Sequence, residues 1–86
     1  MTLPVTAPVD EAARLLAVRA AVLAGLGRPP GLFELGVRWL WDGHCRVNVH
    51  VGPDVLTTRI AHSYLLEVAA DGRILSSAPP LVRQYP

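Results

Sequence analysis

The sequence predicts an α+β fold in which an N-terminal α-helix packs on a four-stranded antiparallel β-meander, a two-layer sandwich. Three observations carry that expectation. Apolar residues recur at helical spacing before Gly27, the period changes to two after Gly36, and the form strand, Asp-Gly, strand occurs twice. With 86 residues, 51% of them hydrophobic, the chain has room for one domain, read as residues 1–86 with an arm at 1–8 and a Pro-containing extended tail at 78–86.

The run Val9 to Leu26 is rich in Ala and Leu, contains no Pro, and opens with Asp10 and Glu11, acids suited to the positive end of a helix. A helix is expected there. Gly25 and Gly27 weaken its last turn, and Arg28 stands before Pro29-Pro30, where the α region is disfavoured. On a helical wheel Asp10, Glu11 and Arg14 share a narrow arc, while Leu15, Leu16, Val22, Leu23 and Leu26 spread over more than half the circumference. That apolar stripe is wider than one sheet face covers.

Beyond the linker Gly31 to Leu35, the segments Val37 to Trp41 with His44 to Val51, and Tyr64 to Ala70 with Arg73 to Ser77, read as hairpins. Side-chain parity selects their loops. A two-residue loop at Asp42-Gly43 sets Trp39 against Arg46, whereas the three-residue loop Trp41-Asp42-Gly43 sets Trp39 against Cys45 and Val37 against Val47. The same choice at Ala70-Asp71-Gly72 sets Val68 against Ile74. Pairing Arg46 with Glu67 then places Val47 beside Leu66 and Val49 beside Tyr64. The expected core face is Val37, Trp39, Cys45, Val47, Val49, Val51, Tyr64, Leu66, Val68 and Ile74, with Gly52 to Thr58 as the longest loop.

A formal net charge of +1 argues against a protein held on nucleic acid or anionic lipid by bulk electrostatics, so any such contact has to be local. All the basic residues are Arg, the usage of a GC-rich genome, which weakens any reading of a given Arg as chosen for its fork of donors. The lone cysteine, Cys45, allows no internal disulfide and suits a reducing compartment. The first residues lack a basic n-region, and the apolar segment after them carries Asp10, Glu11, Arg14 and Arg19. A cytoplasmic protein with no membrane partner is the expectation.

No catalytic residue, metal site or cofactor is expected. His44 and His50 share the outer sheet face about 20 Å apart along the strand, while Cys45 and, if the third strand extends that far, His62 point to the core. Neighbours His62 and Ser63 face opposite ways, so the imidazole is badly placed to act as base for the hydroxyl. Asp42, Asp54 and Asp71 occupy turns that account for them. The reading is a non-enzymatic protein.

Two surfaces remain as candidates. Arg38 and Arg46 are expected as direct cross-strand neighbours on the outer face, a like-charge pair that Glu67 only partly offsets and that an anion would relieve, with His44, His50 and Arg73 nearby. This is the candidate site for a phosphate, a carboxylate or a single nucleic-acid strand; its plain alternative is a solvated face whose arginines serve solubility. The second surface comprises Leu15, Val22 and Leu26 on the helix with Leu81 and Tyr85 in the tail. It suits self-association or a protein partner, unless linker and tail cover it within one chain. The function expected first is a small protein-interaction module, a homodimer or the subunit of a complex.

Overall fold

Helix α1 spans Glu11–Leu26, and strands β1 (Leu32–Trp41), β2 (His44–Val51), β3 (Arg59–Val68) and β4 (Ile74–Ala78) follow it. This is a computed structural model, and it describes residues 11–86. The strands form one antiparallel sheet in the order β1-β2-β3-β4. Helix and meander make the α+β architecture expected from the change of period. The arm at 1–8 and the expected helix start at Val9 and Asp10 lie outside the described residues. No described helix is long and apolar enough to cross a membrane.

Val18, Val22 and Leu26, four residues apart on α1, are fully buried against the sheet, and Leu23 packs beside them. Leu16 stays 65% exposed, so the stripe in use is narrower than the sequence suggests. Arg14 fastens the first half of the helix: its guanidinium lies 4.5 Å from the Trp39 ring centroid and donates to the carbonyls of Val68 at 3.2 Å and Ala69 at 3.3 Å. A residue on the polar arc thus ties helix to sheet. Arg19 makes a similar reach to the Leu35 carbonyl, at 3.1 Å.

The helix ends at Gly27, whose φ of +91° is left-handed and whose amide donates to the Leu23 carbonyl at 2.8 Å. The tail then satisfies two of the remaining carbonyls, those of Ala24 and Leu26. The amides of Gln84 and Tyr85 donate to Leu26 at 2.8 and 3.1 Å, and Arg83 donates to Ala24 at 3.0 Å. Leu81 and Tyr85 pack on the core. The expected interaction surface is therefore corrected: Val22 and Leu26 are fully buried, and Leu15, Leu81 and Tyr85 are half-buried. The physical reason is Pro79-Pro80, which lack the amides needed to extend β4, so the chain turns back over the helix end.

The inward face agrees with the alternation read from the sequence, with Cys45, Val47, Val49, Val51, Tyr64, Leu66 and Val68 buried and Val37, Trp39 and Ile74 half-buried. Leu35 joins it from the expected linker, because β1 begins at Leu32 rather than Val37. A register irregularity at Phe33 turns both Leu32 and Leu35 inward, and that spacing of three hides the strand from a period-two pattern. β3 likewise starts early, at Arg59 rather than Tyr64, across an irregularity at Ala61.

Two pairings differ from expectation. Around Asp42-Gly43, Trp41 faces His44 directly and Leu40 is the extra residue, so the turn has two residues and an adjacent bulge restores Trp39 to Cys45 and Val37 to Val47. Between β2 and β3, Arg46 faces Leu65 rather than Glu67, and Val47 faces Tyr64 rather than Leu66. A slip of two residues leaves every side chain on its own face, so parity is blind to it. The second hairpin has the expected three-residue loop: Ala69 donates to the Arg73 carbonyl at 2.8 Å, with Gly72 at φ +92°.

Candidate functional site

Strand alternation sends Arg38 of β1, then His44, Arg46, Asn48 and His50 of β2, to the face away from the helix. Arg38 and Arg46 are directly opposed, as expected. Both are exposed. Arg46 Nη1 donates to Ser63 Oγ at 3.1 Å, and that hydroxyl donates to Asn48 Oδ1 at 2.6 Å. Among the described residues the one ion pair is Arg73 with Asp71, at 4.0 Å on an exposed turn, so neither Arg38 nor Arg46 has a carboxylate within ion-pair reach. Glu67, the acid expected to offset them, lies opposite His44 and accepts from Ser76 Oγ at 3.4 Å.

Three of the remaining site residues separate. Arg73 stands in the β3–β4 turn, held by Asp71 rather than turned to the arginine pair. His50 lies over Gly36, where an added Cβ would sit 3.4 Å from Nε2, and it faces Glu34 and Ile60 across the ladders. His44 stacks on Trp41 with centroids 4.7 Å apart, and its Nδ1–H donates to the Asp42 carbonyl at 2.8 Å. The sequence reading places Trp41 in a three-residue loop. The bulge at Leu40 instead sends it outward, 58% exposed, beside the arginines.

On the opposite face His62 approaches the Tyr85 hydroxyl through Nε2 at 2.7 Å and stacks near Tyr64. Ser63 is engaged with Asn48 and Arg46 on the outer face, so the imidazole and the hydroxyl do not meet. His62 borders an open groove of about 340 Å³ between β3 and the tail, floored by Ala61 and Tyr64 and walled by Pro79, Pro80 and Val82. Cys45 is fully buried, and burial pushes its thiol pKa up, with the Arg14 guanidinium opposing part of that rise. Among the described residues no three His, Cys, Asp or Glu side chains gather as metal ligands would.

A further feature escaped the sequence reading because β1 was read as half its length. All ten residues of β1 form a sheet edge, and among the described residues no strand lies on its far side. Phe33, Leu40 and Trp41 stand exposed along it. The Leu32 amide donates to the Pro29 carbonyl at 3.2 Å and the Leu35 carbonyl accepts from Arg19; elsewhere the open side of such a strand presents unpaired amides and carbonyls, and large apolar side chains beside them make it a surface that pairs readily. Comparison with family models, with curated proteins and with solved structures finds no match.

Proposed function

We propose that this chain is a small non-enzymatic protein-interaction module, working as a homodimer or as the subunit of a complex. The observation that supports it is the open edge of β1, ten residues long and flanked by exposed Phe33, Leu40 and Trp41. Strand addition at such an edge takes its affinity from main-chain hydrogen bonds and its selectivity from alternate side chains. The contact therefore moves from the helix face to the sheet edge. Sedimentation equilibrium over the micromolar range, with affinity capture from the source cell, tests the reading. Self-association or a stoichiometric partner supports it; a monomer that captures nothing contradicts it.

A second reading is favoured by one specific arrangement, the Arg38–Arg46 neighbours, without an acid partner among the described residues and with the Trp41–His44 stack alongside. Two guanidinium groups beside an exposed aromatic plane suit a phosphate or a short single-stranded nucleic acid. Arg46→Ala is then expected to weaken oligonucleotide binding about equally for all sequences and to reduce the salt slope by about one charge. Absence of binding to single-stranded oligonucleotides at low salt contradicts the nucleic-acid version.

A further inference from the structure

We propose that the partner at the β1 edge is a second copy of this chain, paired antiparallel with it, β1 to β1, about a two-fold axis at Gly36. The inference rests on the interaction-module reading and adds the partner and the register. Its first support is the direction of the backbone groups. The Leu35 carbonyl accepts from Arg19 at 3.1 Å and so turns away from β2. In an antiparallel ladder alternate residues turn alternate ways, which puts the amides and carbonyls of Leu35, Val37 and Trp39 on the open side. A carbonyl has two lone pairs, so Leu35 can accept a ladder amide with Arg19 still in place.

The register follows from symmetry and charge. A two-fold axis requires that if one residue meets another, the second meets the first. An axis at Gly36 brings Leu35 against Val37 of the second copy and, on the outer face, Glu34 against Arg38, each pair occurring twice. An axis at Glu34 or Arg38 opposes like charges, and an axis at Leu35 or Val37 leaves both charges facing uncharged residues. Only the Gly36 register among these brings a carboxylate to Arg38, which has none in ion-pair reach among the described residues and whose cross-strand neighbour is Arg46. Gly36 has no side chain to obstruct the axis.

The test is sedimentation equilibrium of the full chain with Glu34→Arg, Arg38→Glu and the double exchange, together with oxidation of Gly36→Cys. Each single reversal turns two attractive pairs repulsive and is expected to weaken dimerisation about tenfold, with the double exchange restoring most of it. Both side chains are exposed, so folding is expected to survive. A residue at the axis meets its own copy at a Cα separation of about 4.5 Å, within disulfide range, so Gly36→Cys is expected to form a covalent dimer. Buried Cys45 does not compete. A dimer indifferent to both reversals, or a Gly36→Cys chain that stays monomeric on oxidation, overturns the edge pairing and leaves the module reading standing. A wild-type chain that stays monomeric and captures no protein overturns both.

Discussion

Leu66 sits fully buried on the inward face, opposite Cys45, in one core cluster with Val18, Val22 and Leu26 of α1. Its truncation to alanine removes packing from both layers and is expected to cost about 2 to 5 kcal/mol in urea unfolding, a large part of the roughly 4 to 13 kcal/mol open to a domain of this size. Cys45 makes a separate prediction. Burial raises its thiol pKa above the ordinary value of 9.0, so above that pH the unfolded chain releases a proton that the folded chain keeps. Stability is therefore full below about pH 9 and falls as pH rises toward the folded value. Tyr64, raised by burial and by Tyr85, adds to the same decline above its ordinary value of 10.0. Unfolding midpoints measured from neutral to alkaline pH check this, and Cys45→Ala is expected to flatten the first part of the decline.

At the scale of elements, the tail acts as the C-terminal cap of the helix as well as a cover for the core. Deleting residues 81–86 removes two amides from the Leu26 carbonyl, the Arg83 contact with Ala24 and the packing of Leu81 against Gly25. Half-burial of Leu81 and Tyr85 suggests a loss of about 2 to 3 kcal/mol, read as a shift of the urea midpoint. Gly27→Ala is expected to destabilise as well, because its φ of +91° is left-handed and an added Cβ meets the Tyr85 carbonyl. A tail-deleted chain as stable as the full chain would show that the tail merely rests on the surface.

The same elements show how much of the fold was legible before any coordinates. Alternation at Cys45, Val47 and Val49, and again at Tyr64, Leu66 and Val68, announced the inward face, and Gly72 announced the second turn. Bulges at Phe33, Leu40 and Ala61 did not announce themselves, because one extra residue breaks the period that reveals a strand. Those bulges hid half of β1, sent Trp41 outward and left the long edge unread. The like-charge pair Arg38 and Arg46 survived because it depends only on the first hairpin's register. The offset by Glu67 did not, because the seven-residue loop between β2 and β3 fixes register less firmly than a tight turn.

For the whole molecule, the open side of β1 is where this chain is proposed to meet another. Amide hydrogen exchange, measured residue by residue at low and high protein concentration, addresses that edge without any substitution. The amides of Val37 and Trp39 turn to the open side, while those of Gly36 and Arg38 turn to β2. Association through this edge predicts that Val37 and Trp39 exchange quickly in dilute solution and slow as concentration rises, with Gly36, Arg38 and the β2–β3 ladder unchanged. Rates at Val37 and Trp39 that do not depend on concentration, in a sample whose other amides show association, would contradict it.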